Sequence, residues 1–529
     1  MINNFNIVIC DHIHKSGLDI LRNTDNIKLI DATNIPKDKL IKEIIPLADI
    51  AITRSSTDVN SKFLEMAKKM KAIIRAGVGV DNINIKEASK QGIVVMNIPT
   101  ANTIAAVELT MTHILSCVRE FPYAHNNLKI DRVWRREDWY GTELKGKKLG
   151  IIGFGNIGSR VAKRAKAFEM DVITYDPYID SSKAIDLGID YINNFEDIFT
   201  CDIITIHTPK NHETIGMIGQ EEISKMKDGV ILINCARGGL YNEKALLEGL
   251  TSGKIRMAGI DVFDKEPATD NLLLDLKNIT VTPHLGANTK ESQRNISIQA
   301  AKNAILAVKG ISYPNALNLP VLEKSLSKYI INFFELSQKI SYIAAQATSE
   351  NIKSIKIIAE GNISKHIDIL EIFSIVGALT PSIENSVNYV NAKLIAMEKD
   401  INIIKETSIS TSIFQNKISI QLTTKSKIFS ISATIFNENI QRIIEINNYH
   451  LEIIPQGEMI FFTGLDTSGV IADIGNIFKK NNLNINDFRL GRIKEKALSV
   501  ISTNTKIPKI VLNDLRNLDT CFDLQYISI

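Results

Sequence analysis

Residues 147–177 read KKLGIIGFGNIGSRVAKRAKAFEMDVITYDP, and the rest of the chain can be placed around them. An apolar run, Leu149 to Ile152, leads into Gly153-Phe-Gly155-Asn-Ile-Gly158, then a helix-period segment, then a second apolar run ending at Asp176. The order is strand, glycine turn, helix, strand, acid. The first glycine makes the tight turn, the second lets backbone approach a pyrophosphate, and the third lets helix pack on strand. The helix N-terminus offers unpaired N–H groups to phosphates. GxGxxG alone is a weak signal, but strand, helix and distal acid all fall where a dinucleotide site needs them. Asp176 points to NAD, because a carboxylate accepts from a ribose 2′-hydroxyl and repels a 2′-phosphate, and no arginine follows it at once.

The 529-residue chain is 44% hydrophobic and 23% charged, with length for three or four domains. Its net charge of +3 is small for that size, and no Lys/Arg run stands out. Neither nucleic acid nor an anionic membrane is therefore expected as a partner. Cys10, Cys117, Cys201, Cys235 and Cys521 are scattered without a CxxC pair. They read as reduced thiols rather than a metal site or a disulfide framework, so no metal is expected. The N-terminal apolar run is too short for a signal peptide and no stretch reaches membrane-spanning length, so the expected compartment is the cytoplasm.

Before the glycine stretch, short β-type runs alternate with helix-period segments: Phe5–Ile9, Lys15–Arg22, Ile27–Ile30, Ile50–Thr53, Asn60–Met70 and Ala72–Ile74. This is a parallel α/β pattern. Two strands end at arginines, Arg54 and Arg75, on the edge where open parallel sheets form their crevice. Taken alone, both read as solvated loop arginines. Gly77-Val-Gly79 permits close backbone approach to a ligand. Residues 100–120 suit a long helix joining two lobes, and the following RVWRREDWYGTELKGK holds both tryptophans, Trp134 and Trp139, beside Arg135 and Arg136. Aromatics beside arginine suit an interface.

After Asp176 the α/β alternation continues, and each strand stops at reactive residues. CDIITIHTP ends at His207-Thr208-Pro209, GVILINCARGG at Arg237, MAGIDVFDKEP at Asp261 and Glu266, and NITVTPHLGAN at His284. Arg, Glu and His thus lie just past strand C-termini, where a nicotinamide would sit. Hydride transfer between a secondary alcohol and NAD needs a base for the hydroxyl proton, a cation for a carboxylate and a held cofactor. His284 is the candidate base. Glu266, if in contact with it, would hold the correct tautomer and favour the imidazolium. Arg237 offers a planar fork to a 2-hydroxy or 2-keto carboxylate. Singly, each has a structural reading as a turn, cap or solvated residue; at successive strand ends they point together to chemistry. His207 is expected to be a satisfied strand-end residue, Cys235 a packing or backbone-contact residue, and His12 and His14 loop residues.

From about Glu291 a helix-period stretch runs toward Pro314 and returns to the first lobe, and NALNLPVL carries a linker signature. Residues from about Glu323 to Tyr449 mix helices with β-rich runs. From His450 onward the order reads βαββαβ.

GFGNIG with Asp176, NCARGG, DVFDKEP and TPHLGANT resemble the D-isomer-specific 2-hydroxyacid dehydrogenases, and RAGVGVDN, NTIAAVELT and GTELKGKKLG narrow the likeness to members with a phosphorylated substrate. The likeness is close over about residues 5 to 320, and the tail resembles the family's long form, with an intervening domain around IVGALTPSIENSVNYVNAKLIAMEKDINI and a terminal ACT-like domain. The resemblance implies an α/β fold in which a Rossmann-type NAD-binding domain (101–285) is inserted in a flavodoxin-like substrate-binding domain (1–100 and 286–317). An α+β intervening domain (318–450) and a βαββαβ ACT-like domain (451–529) would follow. It implies oxidation of 3-phosphoglycerate to 3-phosphohydroxypyruvate, the first step of the phosphorylated serine pathway, in a homodimer or homotetramer. Arg237, Glu266 and His284 would be catalytic. Val78, Gly153, Gly155, Asn156, Ile157, Gly158, Asp176, Thr208, Cys235, Ala236, Arg237, Asp261, His284, Leu285, Gly286 and Ala287 would contact NAD. Arg54 and Arg75 would bind the anionic substrate, with Arg136 completing the site from a second subunit.

The sequence departs from the pattern in three places. Val78 and Ala105 stand where hydroxyl residues are common, and the usual Asn-x-Asp-x-Pro-Gly turn of the last domain appears as Gly464-Leu-Asp466-Thr-Ser468-Gly469. Asp466 and Asn484 remain, so a serine effector and no effector stay as alternatives there. Two further readings stay open: the same chemistry on another 2-hydroxy acid, such as 2-hydroxyglutarate or glycerate, and an NAD-sensing scaffold on this fold.

Overall fold

The computed structural model describes residues 5–320, 326–383, 387–409 and 413–529. The last two residues of the expected linker, the boundary near Glu323, and Glu384 to Ser386 of the intervening stretch lie outside the described residues. The chain divides into two compact units, Met1–Asp58 with Ala72–Ile83 and Met96–Asn315, and Val59–Lys71 with Asn84–Val95 and Ala316–Ile529.

The first sheet contains β1 (Phe5–Ile9), β2 (Ile27–Asp31), β3 (Ile50–Thr53), β4 (Ala72–Arg75) and β5 (Val94–Met96), in the order β2-β1-β3-β4-β5. β1 pairs in parallel with β2 and β3, and β3 with β4. Strands covered on both faces must be apolar throughout rather than alternating, and all four residues of β3 are buried. The helix Lys15–Arg22 begins at His14, whose ring accepts from the Ser16 N–H, so this residue caps a helix rather than sitting idle in a loop. The helix Lys290–Val308 returns to this lobe as expected. The His14 N–H donates to Ser297 Oγ at 2.8 Å, and a Cβ on Gly17 would lie 2.5 Å from the Ser297 carbonyl oxygen.

The second sheet contains β6 (Lys148–Ile152), β7 (Asp171–Tyr175), β8 (Asp190–Tyr191), β9 (Ile203–Ile206), β10 (Val230–Asn234), β11 (Ile255–Ile260) and β12 (Ile279–Val281). Its order is β12-β11-β10-β9-β6-β7-β8, parallel throughout. The strand order reverses at β6, and the crevice of such a sheet opens beside that reversal, at the strand C-termini. Of these two sheets, the sequence reading lacks β5 and β8; three and two residues are too few to carry a period.

The third sheet contains β13 (Ser354–Gly361), β14 (Asn402–Ser408), β15 (Asn416–Thr423), β16 (Ile428–Phe436), β17 (Ile440–Ile446) and β18 (Tyr449–Ile453). The fourth contains β19 (Glu458–Leu465), β20 (Asp487–Ile493), β21 (Lys496–Thr503) and β22 (Cys521–Ser528). In β13 every second residue is buried, as a sheet with one face on helices requires. The helices Val470–Lys480 and Lys509–Arg516 complete βαββαβ in the fourth sheet, whose pairings are all antiparallel. Ile460, Phe462, Ile501 and Leu524 pack with those two helices. The opposite face is not free: Met459, Phe461, Leu498, Val500 and Ile527 join the core of the third sheet, where Phe461 stacks parallel to Phe429 at 6.3 Å. Among the described residues, no helix is long and apolar enough to cross a membrane.

Candidate active site

The glycine stretch folds as its spacing demands. Gly153 turns at φ 91°, and a Cβ there would meet the His207 carbonyl oxygen at 2.8 Å, so the turn after β6 can touch the loop after β9 only without a side chain. A Cβ on Gly158, which opens the helix Gly158–Ala167, would overlap the Gly153 carbonyl oxygen at 2.1 Å. Around Gly155 there is open space, and Asn156 and Ile157 follow it into the helix. Asp176, just past β7, is tied to this turn. Its carboxylate accepts from the Phe154 N–H at 2.8 Å and the Tyr178 N–H at 3.0 Å.

Two polar atoms beside the same turn have no partner among the described residues. His207 Nδ1 and Thr208 Oγ1 are both buried. His207 is thus only half satisfied, through Nε2 and Thr205 Oγ1 at 3.1 Å, and burial pushes its ring down to about 3. An unpaired buried polar atom is costly. The pair, with the Gly155 space and the Asp176 carboxylate, fits the hydroxyl-rich body of a dinucleotide. Cys235 behaves as expected: it is buried, and burial first, with the Asp261 charge, raises its thiol pKa.

Past β10, Asn234 closes a small turn, accepting from the Ala236 N–H at 3.0 Å and donating to the Arg237 carbonyl at 2.8 Å. The turn aims Arg237 across the crevice at the first lobe, where its Nε lies 3.2 Å from Asp81 Oδ2. A Cβ on Gly79 would strike the Arg237 guanidinium, and one on Gly77 would strike that of Arg75. The Gly77-Val-Gly79 space is therefore filled by arginine side chains, and the Val78 carbonyl accepts from Asn97 Nδ2 at 2.7 Å.

Arg54, Arg75 and Arg237 share one electrostatic field. Burial, then the charges of Arg237 and Arg54, lower Arg75 to about 10, with Asp81 and Asp11 opposing. Burial also lowers Arg54, against Asp11. Arg75 Nε is buried without a partner among the described residues. Excess positive charge with an unfilled donor suits an anion. The Arg54 loop is braced from below by Asp11, which accepts from the Arg54 N–H and, at 2.8 Å, from the Thr57 hydroxyl. Asn82 holds the same loop through the carbonyls of Arg54 and Thr57 at 2.7 and 2.6 Å. Arg136 is elsewhere: it opens the exposed turn Arg136–Asp138 and is not among the charges felt at Arg75.

Past β12, His284 sits at φ 54°, in the left-handed region that a side chain with a Cβ adopts only when held there. Its Nδ1 lies 2.7 Å from Glu266 Oε2. Glu266 also accepts from the Phe263 N–H at 3.1 Å. Burial raises the Glu266 pKa, but His284, that N–H and the Arg237 charge outweigh it and leave the carboxyl below its ordinary value. Glu266 is then an anion accepting Nδ1–H, and Nε2 is free to take a proton. Asp261, fully buried, accepts from the N–H groups of Leu285 at 2.7 Å and Gly286 at 2.9 Å. Gln293 Nε2 donates to the Ala287 carbonyl at 2.9 Å. His284 and Glu266 open onto a cleft of about 750 Å³ that Lys37, Ser55, Ser56 and Asp58 line from the first lobe.

Residues 329–447 match the D-3-phosphoglycerate dehydrogenase intervening domain, and residues 111–286 the NAD binding domain of the D-isomer specific 2-hydroxyacid dehydrogenases. The D-3-phosphoglycerate dehydrogenase of Bacillus subtilis is 36% identical over 530 residues, covering 99% of this chain and all of that one. That of Archaeoglobus fulgidus is 34% identical over 529 residues with the same coverage. The chain belongs to the D-3-phosphoglycerate dehydrogenase family. The likeness extends to solved structures of the wider group. A D-lactate dehydrogenase from Aquifex aeolicus, complexed with NAD and lactic acid, is 28% identical with a TM-score of 0.53, covering 60% of this chain and all of that one.

For this family member, sequence reading missed Asp11, Asp81, Asn82, Thr282 and His113. Asp11 could have been found, since it lies just past β1 at the same edge that singled out Arg54 and Arg75. Asp81, Asn82 and Thr282 lie inside RAGVGVDN and TPHLGANT without a role of their own being read there, and His113 carries no local signal because its partners lie 167 and 169 residues away.

Proposed function

We propose that this chain oxidises 3-phospho-D-glycerate to 3-phosphohydroxypyruvate with NAD, in the cytoplasm, at the head of phosphorylated serine synthesis. The observation that carries the reading is an Arg54–Arg75–Arg237 field whose Arg237 charge also reaches Glu266, the partner of His284. A substrate with a carboxylate and a phosphate needs more cations than Arg237 alone. In this reading Arg237 takes the carboxylate in its planar fork, and Arg54 and Arg75 take the phosphate. His284 Nε2 accepts the proton of the 2-hydroxyl, and Glu266 holds Nδ1–H and faces the imidazolium that forms. NAD, when bound, supplies the acceptor for the hydride that leaves C2. Gly153 to Gly158, Asp176, Thr208, Cys235, Ala236, Asp261 and the turn 284–287 would hold it, with Val78 offering backbone only.

Arg54→Ala raises KM for 3-phosphoglycerate about ten- to a hundredfold, the range for losing ~1.5–3 kcal/mol of charge-assisted hydrogen bonding. It changes KM for an unphosphorylated 2-hydroxy acid much less. A coupled steady-state assay over a panel including 2-hydroxyglutarate and glycerate reads both, and an unchanged KM removes the phosphate assignment. Binding of NAD without turnover on any 2-hydroxy acid would favour a scaffold instead. Asp176→Ala is expected to raise KM for NAD about tenfold while KM for NADP falls, because the lost carboxylate both binds a ribose hydroxyl and repels a 2′-phosphate. Equal effects on the two cofactors would remove that role.

The domain limits that go with this reading are 1–100 with 286–317, 101–285, 318–450 and 451–529, the last boundary moving past Ile453 because β18 (Tyr449–Ile453) pairs with β17 in the third sheet. The exposed Phe121, Ile130, Trp134 and Tyr140 favour a homodimer or homotetramer in which Arg136 serves a second subunit's site. In the last domain a cleft of about 260 Å³ is lined by Asp466, Thr467, Ser468, Arg492 and Ser499. Asp466 is already paired with Arg492 at 2.8 Å. Serine is the effector to test there, by adding it to the same assay.

A further inference from the structure

His113 lies in the middle of the linking helix Thr103–Arg119, on the face turned to the second sheet, and is 3% exposed. Both ring nitrogens are engaged: Nδ1 with Thr280 Oγ1 at 3.0 Å and Nε2 with Thr282 Oγ1 at 2.9 Å. Room for the ring comes from Gly259 on β11, where a Cβ would lie 2.8 Å from His113 Cβ and 3.1 Å from Cγ. The site is thus shaped to admit an imidazole.

The protons of this network can be ordered by elimination. Burial raises the Asp261 pKa against the hydrogen bonds from Thr282, Leu285 and Gly286 that favour the anion, and as that anion Asp261 accepts from the Thr282 hydroxyl at 2.6 Å. With its own proton committed, Thr282 Oγ1 can only accept from His113, which requires Nε2–H. Burial holds the ring neutral, down to about 4, so Nδ1 carries no proton and accepts from the Thr280 hydroxyl. Cys117 Sγ, 3.5 Å from Thr280 Oγ1 and with its thiol pKa raised to about 12, donates to that hydroxyl. With the Ala258 carbonyl, at 3.5 Å, the more distant acceptor for the Thr280 hydroxyl, the donors run from the linking helix to Asp261. Asp261 in turn grips the Leu285 and Gly286 N–H groups while its carbonyl accepts from the His284 N–H at 2.9 Å.

We propose that His113 is a positioning residue for the catalytic turn: its Nε2–H tautomer orders the Thr282 hydroxyl toward Asp261, and Asp261 holds His284 in its left-handed backbone conformation, facing Glu266. Without the imidazole, Thr282 has an unfilled acceptor and a hydroxyl free to rotate, and Asp261 loses its most directed donor. The turn then samples backbone conformations in which Nδ1 leaves Glu266. The inference rests on the assignment of His284 as acid/base residue.

The test compares His113→Leu, His113→Gln and Thr282→Val with the unaltered enzyme, and includes His284→Asn. His113→Leu is expected to lower kcat about tenfold with both KM values within about twofold, the pattern of a lost positioning effect rather than lost binding. Glutamine, which restores an N–H donor, recovers most of kcat, and adding Thr282→Val to His113→Leu costs little more, since the two act through one chain. A leucine variant with unaltered kcat, or a glutamine variant as slow as leucine at equal thermal stability, overturns the inference. Imidazole ¹⁵N shifts give a readout independent of turnover: Nε2–H at His113 is required, and Nδ1–H overturns the inference whatever the rate. Full activity in His284→Asn would instead remove the acid/base assignment and leave the tautomer result standing.

Discussion

Replacing His284 by asparagine lowers kcat for 3-phosphoglycerate oxidation by about 10²–10⁴-fold, the contribution of a positioned general base, and leaves NADH binding close to its original strength. Asparagine keeps a polar group of similar reach and tolerates the left-handed backbone at this position, so the turn 284–287 is preserved. What is lost is a site that can take the hydroxyl proton. Glu266 does not substitute, because the carboxylate lies behind the ring, on Nδ1, and is held there by the Phe263 N–H. Steady-state rates with NADH fluorescence titration separate the two effects. A variant that loses cofactor binding and turnover together would show that the side chain holds the cofactor loop instead.

Phe461→Ala costs about 3–5 kcal/mol of stability, the range for removing a fully packed aromatic ring, and the loss falls on both C-terminal sheets in one transition. Phe461 belongs by sequence to the fourth sheet, yet its ring lies in the core of the third, against Phe429. The fourth sheet is thus buried on both faces, by its own helices on one and by the neighbouring domain on the other. Hydrogen exchange is the suitable readout, since both tryptophans lie outside this region. Parallel loss of protection in β15 and β16 and in β19 and β21 is expected. Loss confined to β19 to β22 would mean that the two sheets unfold separately. Ile471→Ala, at a position 54% exposed, changes stability by less than about 0.5 kcal/mol.

Much of the candidate site was legible in the sequence because it obeys local rules. The GFGNIG turn, Asp176, Arg237, Glu266 and His284 all sit within a few residues of strand ends. Period and turn chemistry locate those ends without knowledge of the partner strands. The first strand of the βαββαβ order was legible ahead of its helix, but what covers the second face of that sheet could not be read from it. His207 was misjudged for the opposite reason. A strand-end histidine carries no mark of whether its second nitrogen is met.

The sequence by itself determined the parallel α/β order, the dinucleotide turn, the family resemblance and the three residues offered for the chemistry, since each is written in spacings of a few residues. Only the tertiary structure decided that Gly77 and Gly79 make room for arginines, that Asp11 and Asn82 brace the Arg54 loop, and that His113 meets threonines 167 and 169 residues away. The reason is physical. Hydrogen bonds between side chains so far apart depend on where the sheet brings two strand ends and a helix face together, and no periodicity records that meeting.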